Sequence, residues 1–445
     1  MPGAVGAASG RSASGRSASG ARGQAAGPGS TEVPEALTPL ADYLGSALRR
    51  LQPLPPLDLD LTQAYGTVLA EDVPAPHGSP SFDCAAIDGY AVRVDDPGRA
   101  ERPLRLSVIG DLTAASWRPV RLTPGTCFSV AAGAPLPGGA DTVVPAEWTD
   151  QGMAAVEIDR LPVRGHGVRR AGEEIVAGTV LARAGSTVTP FQVAAFAATG
   201  ITHVAVRPAP RVVVAATGDE LVDAGRVSQP GQVVDVSSHA LTAAASEAGG
   251  YAYRVGICDD DPEGLRGLVE DQTLRADLIV TTGGTGTGPG DMVRRVLARR
   301  DGPRAGSVSF TELAVHPCGM LGFGTVGVEE VPIICLPGDP GAAMIGFELL
   351  ARPAIQVLVG AEPVFRPSVR GHLLAAVQSP AGLREFRPAL VAERRGGGYT
   401  VQPLAGGPYS LSGLTGCNGL LVLGERVASA PVGSNVDVLM LDRRR

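Results

Sequence analysis

Three short apolar runs in the middle of the chain each end in a loop rich in glycine or proline. The runs span 212–215, 278–280 and Val331–Leu336, and their loops span 216–220, 281–291 and 336–341. Repeated strand–loop–helix units of this kind predict a parallel sheet whose loops gather at the carboxyl ends of its strands. Open α/β sheets bind ligands at that edge. Because glycine backbones and helix N-termini favour anions, we expect an anionic, phosphate-bearing ligand there.

The pattern is different on either side of this α/β segment. Helical periodicity is predicted at 36–51, 190–198, 237–248, 262–275, 291–300 and 341–359. Residues 82–169 alternate short strands with Gly and Pro turns, and 178–189 has the same character. After 361 the strand pattern returns, with a hairpin turn at 396–398. The layout is therefore β-rich, then α/β, then β-rich.

Composition narrows the functional classes. A chain of 445 residues is expected to form about two to four domains. All 38 basic residues are arginine, which excludes a Schiff-base lysine and a P-loop lysine. The net charge of −7 without a basic stripe argues against a nucleic-acid surface. Residues 1–34 are rich in Gly, Ala and Ser and have no apolar core, which predicts a disordered tail rather than a secretory signal.

Two further features indicate the compartment. The six cysteines form no C-x-x-C pair, which favours a reducing cytosol over a disulfide framework or a zinc site. No apolar run is expected to reach the roughly 18 residues of a membrane span. We therefore predict a cytoplasmic protein with no membrane partner.

Six motifs in a fixed order carry a family resemblance. They are FDCAAIDGYAVR at 82–93, AGAPLP at 132–137, RRAGEE at 169–174, TGDEL at 217–221, GGTGTGPGD at 283–291 and LPGDP at 336–340. This order resembles the molybdopterin molybdenumtransferases, the bacterial MoeA family, which has the C-terminal half of gephyrin as its animal relative. The resemblance runs from about residue 36 to the end of the chain.

The resemblance implies a multidomain fold of α/β and β parts. It implies a discontinuous linking domain at 35–81 and 169–206, an inserted β domain at 82–168, a MogA-like three-layer α/β molybdopterin-binding domain at 207–360, and a C-terminal β-barrel at 361–445. It also implies a homodimer, whose site lies between the α/β domain of one subunit and the N-terminal domains of the other. Molybdopterin adenylyltransferase and molybdoenzyme apoproteins are the implied partners.

The implied reaction inserts molybdate into adenylylated molybdopterin, and AMP leaves with the help of Mg²⁺. The resemblance assigns catalytic roles to Asp83, Asp88, Glu173 and Asp260, and it assigns Mg²⁺ to Asp83, Glu173, Asp260 and Asp291. The implied cofactor-binding residues are Thr217, Gly218, Asp219, Glu220, Gly283, Gly284, Thr285, Gly286, Asp291, Pro337, Gly338, Asp339 and Pro340. Hard cations prefer carboxylate oxygen, which suits the acidic set.

Each of these assignments has a structural alternative. Asp83 and Asp88 also suit a tight turn, and Glu173 could belong to a solvated cluster with the preceding arginines. Asp219, Glu220 and Asp339 could serve as helix N-caps, and the glycine loop could be a bare turn. Capping requires one of the three consecutive aspartates at 259–261, and Asp260 best matches the acidic position of the family. The His316 and Cys318 pair favours a structural role over a metal site.

The departures from the family lie at the expected site. Cys84 stands where the family has Asn, Ala132 where it has Thr, and His316 and Gly319 where it has lysines. Each phosphate contact that is missing costs about 1.5–3 kcal/mol as a charged hydrogen bond, and two would weaken binding by about 10²–10⁴-fold. The alternative function is therefore a degenerate, gephyrin-like paralogue that acts as a dimeric scaffold. A generic nucleotide-binding enzyme would leave the flanking β regions unexplained.

Overall fold

The first part of the chain folds mainly into short strands, and strands that are far apart in sequence pair in the same sheets. The computed structural model describes residues 37–95, 103–160, 162–298, 307–407 and 409–441, so the predicted disordered tail lies outside the described residues. The elements up to residue 207 are, in chain order, α1 (Leu40–Leu48), β1 (Leu57–Asp60), α2 (Leu61–Ala64), β2 (Val68–Leu69), β3 (Val73–Pro74), β4 (Cys84–Ala85), β5 (Gly89–Val92), β6 (Leu104–Leu112), β7 (Thr126–Val130), β8 (Thr142–Pro145), a 3-10 turn (Ala146–Trp148), β9 (Ala155–Ile158), β10 (Val168–Arg169), β11 (Val180–Ala182), α3 (Pro190–Ala198) and β12 (His203–Arg207).

Strands on both sides of the inserted segment pair with each other. β12 lies between β1 and β2 in an antiparallel sheet, and β11 pairs with β3. Their shared core holds Leu69, Val188, Phe196 and Val206. α3 begins with a complete capping box between Thr189 and Gln192, which explains why the predicted bounds of this helix match the observed ones. The segment between these strands forms its own five-stranded sheet in the order β8-β5-β7-β6-β9.

The central segment forms a six-stranded sheet with helices on both faces. Its elements are β13 (Arg211–Ala216), β14 (Leu221–Val222), β15 (Val233–Val234), α4 (Ser237–Glu247), β16 (Tyr251–Arg254), α5 (Pro262–Thr273), β17 (Leu278–Thr282), α6 (Met292–Leu297), β18 (Ser309–Glu312), β19 (Val315–His316), β20 (Met320–Val326), β21 (Val331–Leu336), α7 (Pro340–Gly346), a π-helical turn (Phe347–Ala351) and α8 (Arg352–Val359).

The sheet order is β16-β13-β17-β21-β20-β18. The first four strands are parallel, as predicted, but β20 and β18 extend the sheet in the antiparallel direction, which the parallel-sheet prediction did not include. Alternate side chains of β13 face opposite sides of the sheet. Val212 and Val214 pack against α4 and the helical run from α7 to α8, while Val213 packs against α5 and α6. The three-layer α/β prediction is therefore confirmed.

One helical run exceeds the apolar length that we expected from the sequence. Pro340–Val359 is continuous through α7, the π-helical turn and α8, and it is long and apolar enough to cross a membrane. The expectation that no run approaches such a length is therefore wrong. However, 83% of its apolar window is buried inside the protein, as in the core helix of a soluble α/β fold. Gly360 ends the run in the left-handed conformation with φ of 67°.

The C-terminal segment closes into a β-barrel. Its elements are β22 (Ser368–Leu373), β23 (Val377–Gln378), β24 (Arg384–Glu393), β25 (Tyr399–Pro403), α9 (Leu411–Gly416), β26 (Gly419–Leu423), β27 (Ser429–Ala430) and β28 (Asn435–Met440). The ring runs β24-β25-β22-β28-β26 and closes because β26 pairs back to β24. The predicted hairpin at 396–398 joins β24 to β25, and its three glycines all have positive φ. The predicted boundaries between the domains stay predictions.

Two contacts tie the barrel to the α/β sheet. β19 pairs with β24, in parallel and with His316 opposite Glu385, so a strand of the central segment extends the barrel sheet. Arg366 forms a bidentate ion pair with Glu348 of the long helical run, at 2.7 and 3.0 Å, and both side chains are about 10% exposed. The same guanidinium contacts the carbonyl of Leu441 and the exposed carboxylate of Glu247.

Candidate functional site

The three predicted loops meet in one cleft at the carboxyl ends of β13, β17 and β21. The cleft has a volume of about 900 Å³. Of the residues assigned to the site from the sequence, those that line it are Thr217, Gly218, Glu220, Asp260, Gly283, Gly284, Thr285, Gly286, Asp291, Pro337, Gly338 and Pro340. The strand-end location was predictable because parallel strands bring their carboxyl ends to one edge of the sheet.

The first loop does not lead into a helix. Thr217 and Gly218 leave β13, but Leu221 already begins the short strand β14, so the N-cap alternative for Asp219 and Glu220 is wrong. Asp219 does not line the cleft; instead its carboxylate accepts a hydrogen bond of 2.8 Å from the backbone N–H of Asp260. Asp219 therefore holds the neighbouring acidic loop in place.

The second loop requires glycine for steric reasons. Gly283 has φ of 101°, and a Cβ there would lie 2.5 Å from the carbonyl oxygen of Thr217. Gly284 has φ of 62°, and a Cβ there would lie 2.9 Å from the backbone nitrogen of Val293. L residues with side chains avoid these backbone angles, so the close approach of the loops depends on these two glycines.

Asp291 holds this loop from inside. Its two carboxylate oxygens accept hydrogen bonds from the backbone N–H of Gly286 at 2.8 Å and of Gly288 at 2.6 Å. It makes no side-chain capping bond to α6, although it precedes that helix. The sequence predicted loop N–H groups that point to a phosphate, whereas two of these donors point to Asp291.

In the acidic loop before α5, Asp261 and Asp260 have different roles. Asp261 caps the helix, since its carboxylate accepts a hydrogen bond of 2.6 Å from the N–H of Gly264. Asp260 lines the cleft instead, and it is the aspartate that the family resemblance indicated. Burial raises the pKa of the Asp260 carboxyl, and the nearby charges of Asp219 and Glu220 raise that pKa further.

The third loop is a rigid turn attached to the second. Asp339 caps α7 by accepting a hydrogen bond of 2.9 Å from the N–H of Ala342, so the capping alternative is correct for this residue. The hydroxyl of Thr282 donates to the carbonyl of Pro337 at 2.8 Å. The capping bond and the hydroxyl bond fix the positions of Pro337, Gly338 and Pro340 in the cleft wall.

The other predicted acidic residues lie elsewhere in the chain. Asp83 accepts hydrogen bonds from the N–H of Ala171 at 2.8 Å and from the guanidinium of Arg170 at 2.7 Å, and these bonds hold the pKa of its carboxyl below the usual range. Glu173 accepts from the backbone N–H of Arg170 at 2.7 Å. Asp88 accepts from the N–H of Ala132, also at 2.7 Å.

None of Asp83, Asp88 and Glu173 is among the described residues that line the cleft. Asp83 and Asp88 connect distant loops, so the simple turn alternative understates what they do. The side chain of Arg170 pairs with Asp83, whereas Glu173 is held by the backbone N–H of the same arginine.

The two positions at which the family resemblance predicts lysine, 316 and 319, lie in different surroundings. Gly319 lines the cleft between Pro317 and Met320, but His316 does not. The ring of His316 lies edge-on to Tyr409 of the C-terminal segment, with centroids 5.3 Å apart. Cys318 is fully buried, and burial raises the pKa of its thiol to about 12, which favours the structural role over metal binding.

The charge of the cleft is one-sided. Its described lining includes the carboxylates Glu220, Asp235, Asp260 and Asp291 and contains no arginine or histidine. Within the described ranges, no group of three or more His, Cys, Asp or Glu side chains is arranged to hold a metal ion, so the four predicted Mg²⁺ ligands do not meet in one chain. Asp260 and Asp291 remain as cleft carboxylates, and one or two carboxylates beside a phosphate suit Mg²⁺.

The structure adds one residue that the sequence analysis missed. The Nη1 atom of Arg294 lies 3.5 Å from the carbonyl oxygen of Gly286 and 3.8 Å from the sulfur of Met320, and both of these residues line the cleft. The one signal in the sequence was its position three residues after Asp291, on the helix that follows the glycine loop. In sequence it looks like an ordinary charged residue on a helix surface.

Comparisons with known proteins agree with the fold. Three family models match in order: the MoeA N-terminal region (domains I and II) at 32–200, the probable molybdopterin-binding domain at 213–357, and the MoeA C-terminal region (domain IV) at 370–441. Two proteins of Mycobacterium tuberculosis are similar along most of the chain. Molybdopterin molybdenumtransferase 1 is 37% identical over 87% of this chain and 95% of that protein, and molybdopterin molybdenumtransferase 2 is 36% identical over 86% and 94%.

A solved structure has the same architecture. The molybdopterin biosynthesis protein MoeA of Pyrococcus horikoshii superposes with a TM-score of 0.79 at 29% identity, over 91% of this chain and 99% of that one. The matched family models, the relatives above 30% identity and the shared fold agree with the six sequence motifs. The chain therefore belongs to the MoeA family of molybdopterin molybdenumtransferases.

Proposed function

We propose that this chain is a molybdenumtransferase of molybdenum cofactor biosynthesis, which inserts molybdate into adenylylated molybdopterin and releases AMP. The observation that carries the proposal is the cleft where three loops meet at the ends of β13, β17 and β21. The relatives with this name are similar to the chain over most of their length. The adenylylated pterin is the anionic, phosphate-bearing ligand expected from the loop pattern, and a cleft of about 900 Å³ is large enough for a ligand of that size.

The described residues suggest how the ligand is held. Gly283 and Gly338 let backbone approach backbone at the base of the cleft, so phosphate oxygens can come close to the loops. Asp260 carries a carboxylate whose charged form is disfavoured by burial and by neighbouring acids, and such a carboxylate suits a hard cation. Mg²⁺, when bound, would neutralise the phosphoanhydride and make AMP a better leaving group. We assign Asp260 and Asp291 as the carboxylates that would hold Mg²⁺.

A homodimer explains the positions of the remaining acidic residues. Asp83, Asp88 and Glu173 are anchored by hydrogen bonds but do not line the cleft of their own chain. We propose that they face the cleft of a second copy. The dimer is tested by light scattering at micromolar concentration, where the expected mass is twice that of the 45.3 kDa chain. The mass of a single chain would refute this arrangement.

The scaffold alternative gains no support over the enzyme. The cleft is formed, its glycines are sterically required, and the similar proteins are named as transferases. We propose a cytoplasmic location, with molybdopterin adenylyltransferase upstream and molybdoenzyme apoproteins downstream.

Complementation tests the function directly. The parent chain is expressed in a strain that lacks its own molybdenumtransferase, and nitrate reductase activity is measured. We expect activity to be restored, with a variant carrying both Asp260→Asn and Asp291→Asn as the negative control. Absence of activity, with the parent chain expressed and folded, would favour the scaffold alternative.

A further inference from the structure

The cleft lacks the positive charge that its proposed ligand requires. This inference rests on the proposed function, which gives the cleft a ligand with phosphate groups. The described lining holds four carboxylates and no basic side chain. Two backbone donors of the glycine loop, the N–H groups of Gly286 and Gly288, are already bound to Asp291. A phosphate group that Mg²⁺ does not neutralise therefore needs a cation from beside the cleft wall.

Arg294 has the position and the free donors for this role. Its guanidinium lies against Gly286 and Met320, two residues of the cleft wall, at distances of 3.5 and 3.8 Å that are long for hydrogen bonds. No ion pair joins Arg294 to a carboxylate anywhere in the described part of the chain. A guanidinium has five N–H donors, so most of those of Arg294 remain for a ligand.

The neighbouring arginines, Arg254 and Arg295, already have hydrogen-bond or ion-pair partners. Arg254 is bound to Asp223, to Asp235 and to the hydroxyl of Ser238. Arg295, the next residue on α6, donates a hydrogen bond of 2.8 Å to the carbonyl of Pro289 and is exposed. Arg294 is half-buried, and its backbone N–H donates to the carbonyl of Gly284, which places the start of its side chain at the base of the glycine loop.

We propose that Arg294 binds a phosphate group of the ligand and supplies the positive charge that His316 and Gly319 do not provide. A guanidinium presents two parallel N–H donors to a phosphate, so a single arginine can supply a bidentate contact. The contact forms when the guanidinium leaves its weak interactions with Gly286 and Met320 and turns into the cleft. Arg294 is thus an anion-binding residue at a position next to the loop that shapes the cleft.

Calorimetric titration of the full-length chain with adenylylated molybdopterin tests the assignment. We expect Arg294→Gln to weaken binding by about tenfold or more, because it removes a charged hydrogen bond. Arg295→Gln is the matched control, since it removes the same charge from the adjacent residue of the same helix. It should change affinity by less than about threefold. The parent chain should lose affinity as salt rises, and Arg294→Gln should lose less.

Two further variants complete the test. In Arg294→Gln combined with Gly319→Lys, a cation returns to the cleft wall from another position, and we expect part of the affinity to return. If Arg294→Gln melts well below the parent, Arg294→Met keeps the aliphatic stem beside Met320 and takes its place in the comparison. Equal affinities of the Arg294 and Arg295 variants would overturn the assignment while the parent still binds. A parent chain that does not bind the ligand would overturn the proposed function and this assignment with it.

Discussion

Asp291→Asn is the substitution whose effect the structure predicts in most detail. The carboxylate receives two backbone N–H groups, at 2.8 Å from Gly286 and 2.6 Å from Gly288. Asparagine has nearly the same volume, but only one of its two terminal groups can accept a hydrogen bond. Its amide nitrogen would face one of the two loop N–H groups, donor against donor. The structure therefore predicts that the loop itself loosens.

The magnitude follows from the bonds that change. One charge-assisted hydrogen bond is lost, worth about 1.5–3 kcal/mol, and the other becomes a weaker neutral bond. We expect the loop to open more easily by about the value of the lost bond. Since 1.4 kcal/mol corresponds to one factor of ten, protection of the loop amides should fall by roughly one to two decades.

Amide hydrogen exchange at Gly286 and Gly288 measures this opening, and AMP release from adenylylated molybdopterin measures its consequence. Asp261→Asn is the matched control, because Asp261 caps α5 outside the cleft lining and asparagine caps a helix about as well as aspartate. It should leave both readouts near those of the parent. Unchanged exchange at Gly286 and Gly288 in Asp291→Asn would refute the mechanical role of the carboxylate, even if activity were lost.

Three further predictions concern charge. Gly319→Lys should tighten binding of adenylylated molybdopterin by up to about tenfold at low salt, because a Cβ there lies no closer than 3.5 Å to its neighbours; His316→Lys, outside the cleft lining, should give no gain, and titration calorimetry compares the two. Asp260→Asn should raise the melting temperature at neutral pH, because the folded-state pKa of this carboxyl is raised and its charged form is therefore destabilising. This difference in melting temperature should shrink as the pH falls through the folded-state pKa. Melting temperatures of both proteins measured across pH test this, and a difference that stays constant would contradict it. Glu348→Ala should cost about 3 kcal/mol in urea unfolding, because it leaves the buried guanidinium of Arg366 with only the exposed carboxylate of Glu247 as an anionic partner. Glu247→Ala, which removes that exposed carboxylate, should cost less than about 1 kcal/mol, and similar losses in the two variants would contradict this account.

The strands and loops of the central sheet could be predicted from sequence because their signals are local. A buried strand followed by glycine needs only a few neighbouring residues, and the observed β21 has the bounds of the predicted apolar run. The antiparallel strands β18 and β20 at the sheet edge were not predicted, because strand direction depends on pairing partners that no short pattern specifies. The barrel closure between β24 and β26 is likewise a long-range pairing.

The site was predictable in part for the same reason. The residues that line the cleft follow their strands directly, so strand prediction was sufficient to place them together. The partners of Asp291 and Asp83 were not predictable, because hydrogen bonds to backbone N–H groups leave no trace in side-chain chemistry. His316 was misplaced because the pairing of β19 with the barrel turns its ring toward Tyr409. Arg294 was missed because only the folded loop brings it beside the cleft wall.

The pairing of β19 with β24 links defects in the barrel to the cleft. Val315 and His316 lie four and three residues before Gly319 in the cleft wall, and they extend the barrel sheet as one of its strands. A substitution deep in the barrel can therefore shift this strand and disturb ligand binding without touching the ligand. Genetic screens for loss of cofactor synthesis should recover barrel alleles that resemble active-site alleles. The barrel also cannot be exchanged between relatives as a separate module unless the strand at 315–316 is exchanged with it.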